Sequence, residues 1–221
     1  IAVGTDLLYA ALTKCSGVFF HHRHKTVDWR IVGLLGAGSV PSSIITVAVL
    51  EQLKAAGLNS DRLMMLVLSV MLVLTSIIIL IKGRLLSYMS HRHGDSLFIR
   101  LVKRYRAHIT VLAGIALGIL VTISSVGAGA IGSAILFLLY PHKKPVAIVG
   151  TDIAHAVPLT AIAGMGHLHF GSVDFDLLIG LLIGGVPAIY LGSLLGQHIP
   201  DHWLRVMIAL LLLAMGVKLA L

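Results

Sequence analysis

The sequence predicts an all-α integral membrane protein of about seven transmembrane segments, assembled from two homologous modules. Three observations carry the prediction. Of 221 residues, 57% are hydrophobic and only 12% charged, with 23 glycines and a mean hydropathy of +0.99. A soluble domain of this size needs far more charged surface, whereas lipid-facing helices need almost none. Apolar stretches of about twenty residues, enough to cross a ~30 Å hydrocarbon core at ~1.5 Å per residue, recur along the whole chain. One register also repeats: Asp6 and Asp152 lie 146 positions apart, as do Val27-Asp28 and Val173-Asp174, and Gly38, Val40, Pro41 and Gly184, Val186, Pro187. A shared spacing over that length signals a duplicated unit.

Taken in order, the first apolar segment runs from Val3 to Phe20 and ends at the polar tract His21 to Asp28. Segments from Trp29 to Leu53 and from Leu63 to Ile81 follow, the former interrupted at Pro41. A basic connector then carries Lys82, Arg84, Arg92, Arg100, Lys103, Arg104 and Arg106. Basic loops set membrane orientation, so this connector is expected on the cytoplasmic face, beside anionic lipid head groups. The apolar stretch from His108 to Tyr140 would be about 50 Å long as one straight helix and must tilt, break or turn back. Its breaking point is predicted at Ser124 to Gly132, where small residues free the backbone. A short turn at Pro141 to Pro145 leads to segments Val146 to Leu168, Phe175 to Gln197 and Trp203 to Leu221.

The boundaries that follow are a first repeat at 1–82, the connector at 83–107 and a second repeat at 108–221. The second repeat opens with the glycine-broken segment, and the first lacks its counterpart, so the expected complete form has eight segments. If the long stretch turns back, Lys143, Lys144 and Arg205 join the basic side and only Lys54, Arg62 and Lys218 oppose it. The loop after the first segment carries Arg23 and Lys25, while the equivalent Gly166 to Asp174 carries no lysine or arginine. Both patterns favour re-entry and oppositely oriented repeats.

Several classes are disfavoured. The net charge of +8 is concentrated in the connector without an aromatic or helix-reading pattern, which argues against nucleic acid. A single cysteine, Cys15, can form no internal disulfide and no two-thiol redox pair. His21, His22, His24, His167 and His169 are not joined by a carboxylate or thiol at ligand spacing, so no metal site is expected. No hydrolase constellation occurs, and neither an enzyme nor a cofactor is predicted.

The residues able to carry chemistry cluster at the repeated Gly-Thr-Asp. A carboxylate in hydrocarbon costs about 3 kcal/mol on insertion scales, so Asp6 and Asp152 each need a partner or a task, though both could also cap helices. Asp6, Tyr9, Thr13 and Ser16 form a polar stripe; its equivalent keeps Asp152 and His155. His155 is a candidate proton carrier or a neutral hydrogen-bonded side chain. Lys14 could contact an anion or snorkel to the interface. Ser124, Ser125, Gly127 and Gly129 mark a broken helix whose amides and dipole could hold an anion, unless the glycines serve close packing. Pro41 and Pro187 are matched bending points.

Together Ala2-Val3-Gly4-Thr5-Asp6-Leu7-Leu8, Gly38-Ser39-Val40-Pro41, Gly127-Ala128-Gly129-Ala130-Ile131-Gly132, Val149-Gly150-Thr151-Asp152 and Gly184-Gly185-Val186-Pro187 resemble the paired signatures of the TauE/SafE sulfite exporter family. The resemblance implies a multi-pass permease of the bacterial inner membrane, associated with sulfite, sulfonates or other small organic anions. On that reading Ser124, Ser125, Gly127, Gly129, Thr5, Thr151 and Lys14 bind the anion. Asp6, Asp152 and His155 tune charge or carry a coupled proton. The expected partners are the anion and membrane lipid, and several copies could assemble. The rival readings are a non-transporting membrane assembly protein and an intramembrane metal or redox protein.

Overall fold

The computed structural model describes residues 2–57, 60–91, 104–127, 129–169, 171–196 and 200–220. Residues 92–103 of the basic connector, including Arg92, Arg100 and Lys103, lie outside them. The described residues form eight helices: α1 (Ala2–Arg23), α2 (Trp29–Ala55), α3 (Ser60–His91), α4 (Arg106–Ser124), α5 (Ala130–Leu139), α6 (Pro145–His169), α7 (Phe175–Gly196) and α8 (Asp201–Ala220). Five stretches are long and apolar enough to cross a membrane: Trp29–Ala55, Arg62–Ile81, Arg106–Ser124, Pro145–His169 and His202–Ala220. At 22 residues α1 is long enough as well, but its polar stripe dilutes its apolar character. The outward faces carry large apolar side chains, such as Ile183 at 72% and Leu211 at 65% exposure, as lipid requires.

The long stretch after the connector is two helices. α4 ends at Ser125, whose φ of 59° is left-handed, and Gly127 follows with φ of 113°. A side chain at Gly127 would be strained by that backbone and would also strike Met71, so glycine is required. α5 then returns toward the start of α4: the Tyr140 hydroxyl lies 2.9 Å from Thr110 Oγ1, and the Arg106 guanidinium sits 5.1 Å over the Tyr140 ring. The chain therefore returns to the side on which α4 begins.

α2 and α4 run parallel, because Leu35 meets Gly114, Ser39 meets Gly118 and Ser43 Oγ lies 2.8 Å from Thr122 Oγ1. Backbone touches backbone along this seam. A Cβ on Gly38 would strike the Val111 carbonyl and one on Gly114 the Leu35 carbonyl, so only glycine permits the approach. Ser43 is near the middle of α2, so α4 ends level with the middle of that helix. Leu35, Met71, Leu117, Ile131, Phe137 and Ile148 fill the apolar core between α2, α3, α4, α5 and α6.

α1 and α6 pack antiparallel, Leu8 against Gly164 and Gly17 against Ile153. Contacts around them come in pairs related by the 146-residue register. The Asp28 amide donates to Thr151 Oγ1 at 3.0 Å and the Asp174 amide to Thr5 Oγ1 at 2.9 Å. His21 and Thr26 close over Gly150 as His167 and Ser172 close over Gly4. A two-fold that exchanges antiparallel α1 and α6 is perpendicular to them, and α6 crosses the membrane, so the axis lies in the membrane plane. The related contacts are inverted, as in many secondary transporters. Cysteines placed at His142 and Ser172 are accordingly expected to react with an impermeant maleimide from opposite faces; labelling of both from one face would refute the inverted arrangement.

Two expectations need correction. Pro41 and Pro187 do not interrupt their segments: α2 and α7 continue through them, each losing one backbone hydrogen bond. His167 and His169 belong to α6 and not to a loop, and His167 is fully buried with Nε2 2.9 Å from the Thr122 carbonyl.

At the basic end Asp28 caps α2, its carboxylate accepting from the Arg30 and Ile31 amides at 3.1 and 3.3 Å and from Lys143 Nζ at 2.6 Å. Partial burial pushes this carboxyl up, but the Lys143 ammonium and the two amides outweigh burial and hold it below the usual carboxylate range. The pair joins the α1–α2 turn to the α5–α6 turn.

Candidate functional site

The break between α4 and α5 collects residues from three other helices. Ser124 closes the end of α4: it is 1% exposed, and its hydroxyl lies 2.7 Å from the Leu120 carbonyl and 3.3 Å from the Val126 amide. Ser125, turned outward by its left-handed backbone, donates its hydroxyl to Asp6 Oδ2 at 2.8 Å. Gly127 offers its carbonyl to the amides of both Ile131 and Gly132 at 3.2 Å, and Gly129 opens α5 with free space where a side chain would be. Because the amides of Ile131, Gly132 and Ser133 already bond backward, those of Gly129 and Ala130 are the ones able to meet a ligand.

Asp152 comes to the break from α6. It is 3% exposed, and a Cβ on Gly132 would strike its Oδ1, so the carboxylate lies against the first turn of α5. That end of a helix is positive, which suits a carboxylate. One turn further along α6, His155 is 1% exposed with Nε2 2.8 Å from Ser39 Oγ, while no hydrogen bond among the described residues reaches Nδ1. Ser39 is two residues before Pro41, so His155 grips α2 beside its proline. The related position on α1 is Tyr9, whose hydroxyl fills the space a side chain on Gly185 would take, two residues before Pro187.

Lys14 stands midway along α1, half-buried. It interacts electrostatically with Asp152 most strongly and with Asp6 next, and it bears on His155 as well. The structure thus brings Asp6 to Ser125 at the end of α4 and Asp152 to the first turn of α5 at Gly132, with His155 one turn further along α6 and Lys14 on α1 between the two aspartates. Thr5 and Thr151 do not join them. Both are buried and accept an amide from the partner turn, and Thr151 also donates to Ala147 O at 2.6 Å, so they tie helices together.

Some participants were hidden in the sequence. Ser39 stood inside a recurring Gly-x-Val-Pro and read as scaffold; Gly132 read as one more small residue. His167 read as one of the membrane-border histidines, and nothing in its spacing marked it as buried. No group of three or more His, Cys, Asp or Glu residues suited to a metal occurs among the described residues.

An α-helical membrane protein with inverted contacts and a helix that breaks and turns back has the build of a membrane transporter. The chain belongs to the sulfite exporter TauE/SafE family, whose model matches residues 1–219. It is similar to "Probable membrane transporter protein YjnA" of Bacillus subtilis (strain 168), 32% identical over 219 residues, which is 99% of this chain and 84% of that protein. A second relative, "Probable membrane transporter protein YdhB" of the same organism, is 27% identical over 207 residues, covering 92% of this chain and 78% of its own length. No solved structure matches the chain.

Proposed function

We propose that this protein is a secondary transporter of a small anion such as sulfite, an organosulfonate or a short organic acid, working in the bacterial inner membrane with its basic side toward the cytoplasm. The observation that carries the reading is the break between α4 and α5, with the open start of α5 at Gly129 and the Lys14 ammonium on α1 in electrostatic reach of Asp152 and Asp6. A helix start and an ammonium are the two features that attract an anion inside a low-dielectric protein. Lys14, Ser125 and the amides of Gly129 and Ala130 hold the anion on this reading, and Gly127 supplies the turn that presents them. Asp6, Asp152 and His155 adjust the charge and carry a coupled proton. Thr5 and Thr151 keep the two halves in register, and Pro41 and Pro187, beside the Ser39–His155 and Gly185–Tyr9 contacts, are where α2 and α7 bend as access alternates.

The family's description and the relatives' names support the transport class; the cargo is chosen by experiment. Reconstituted into vesicles, the full-length protein is expected to move at least one of sulfite, sulfoacetate and a short carboxylate faster than empty vesicles do. Equal rates for all three with and without protein would refute the anion reading.

A further inference from the structure

Both features that attract an anion at the break are already engaged by a carboxylate of the chain itself. Asp152 lies against the first turn of α5, where a Cβ on Gly132 would strike its Oδ1, and it stands in electrostatic reach of Lys14. A second negative charge brought to the same place meets the repulsion of the first, undamped in a low-dielectric interior. An incoming anion therefore settles there only as Asp152 gives the place up. Asp152 is 3% exposed, so a carboxylate leaving α5 finds no water and needs a donor inside the protein.

One donor is within reach. His155 follows Asp152 by three residues on α6, and side chains three apart on a helix are neighbours. Long helical side chains also lean back toward the start of their helix, the direction in which Asp152 lies. The ring is held by one nitrogen: Nε2 lies 2.8 Å from Ser39 Oγ, while Nδ1 is sealed from solvent and has no hydrogen-bond partner among the described residues. Counting protons assigns the tautomer. With the ring proton on Nε2, both the Nδ1 lone pair and the Ser39 hydroxyl proton are unmatched; with Ser39 donating to Nε2, only an Nδ1–H remains. A doubly protonated ring presents the same Nδ1–H. A buried donor without an acceptor is costly, and an arriving carboxylate relieves it.

We propose that Asp152 is a resident competitor for the transported anion: it holds the α5 start while the site is empty and swings to the Nδ1–H of His155 when the anion arrives, with Ser39 positioning that donor. This deepens the transport reading above and rests on it for the arriving anion. The exchange uncovers the α5 amides and Lys14 together, and it keeps the Asp152 charge partnered in both states. It also carries occupancy to α2, because Ser39 precedes Pro41 by two residues, where the helix lacks one backbone hydrogen bond.

The test measures the melting temperature of the purified full-length protein against sodium sulfite, with sodium chloride at equal ionic strength as the blank and the pH fixed. Sulfoacetate and a short carboxylate run in parallel. Asp152→Asn, which removes the competing charge and keeps its size, is expected to lower the half-effective anion concentration about tenfold or more. His155→Phe, which keeps a ring and removes the donor, is expected to raise that concentration about threefold or more in the otherwise unchanged protein, and to leave it unchanged in the Asp152→Asn background. A structural or purely electrostatic role for His155 would act alike in both backgrounds. Ser39→Ala is expected to repeat the His155→Phe pattern and decides the matter if phenylalanine does not fold. Absence of tightening in Asp152→Asn, or an equal effect of the His155 and Ser39 variants in both backgrounds, overturns the proposal and leaves the anion reading in place. No response to any of the three anions in either the wild type or Asp152→Asn refutes the anion reading and the proposal with it.

Discussion

Gly114→Leu is expected to abolish folded protein in the membrane. α2 and α4 touch backbone to backbone, and even a Cβ at position 114 would meet the Leu35 carbonyl. A backbone carbonyl cannot rotate away as a side-chain tip can. The helices must separate, and the separation breaks the Ser43–Thr122 hydrogen bond and parts Ser39 from Gly118. Overpacking of a tight core costs about 1–3 kcal/mol, and more where backbone must move, while an inter-helix hydrogen bond in a membrane averages about 0.6 kcal/mol. The losses exceed what a marginally stable fold tolerates. The check is the monodisperse fraction recovered after detergent extraction. Gly36→Leu is the control, because nothing lies within 4 Å of that position; equal recovery of the two variants would refute the seam.

Lys14→Gln is expected to cut anion flux at least tenfold while leaving the protein folded. Glutamine keeps most of the length and removes the charge that faces Asp152 and Asp6. Two carboxylates would then stand at one break with no permanent cation, and each repels an entering anion. A tenfold loss needs only about 1.4 kcal/mol, within reach of removing a charge from a low-dielectric site. Flux measured in vesicles at matched protein content decides it, with Lys14→Arg as companion: arginine keeps the charge and should retain more flux than glutamine. Wild-type flux from Lys14→Gln would remove Lys14 from the site.

Both predictions rest on contacts of different legibility. The glycines of the seam were plain in the sequence, yet nothing local said which carbonyl each would meet, because the partners are about eighty positions away. Lys14 was equally plain, and its spacing from Asp6 placed it on the same helix, but whether it reached the interface or the second aspartate depended on how α1 lies against α6.

The sequence alone determined the class, because composition and segment length are conditions that lipid imposes on every spanning helix. It pointed to a duplication too, through landmarks that recur in one 146-residue register. The location of the break followed from Ser124 to Gly132 for the local reason that small residues and positive φ go together there. The tertiary structure decided the rest. It decided that the chain turns back at the break, since that depends on Tyr140 reaching Thr110. It decided that α1 and α6 are antiparallel, since periodicity is blind to the direction of a distant partner. It also decided what each Gly-Thr-Asp carboxylate touches among the described residues, the start of α5 for Asp152 and the Ser125 hydroxyl for Asp6, because contacts with a distant helix depend on packing and not on the letters of the motif.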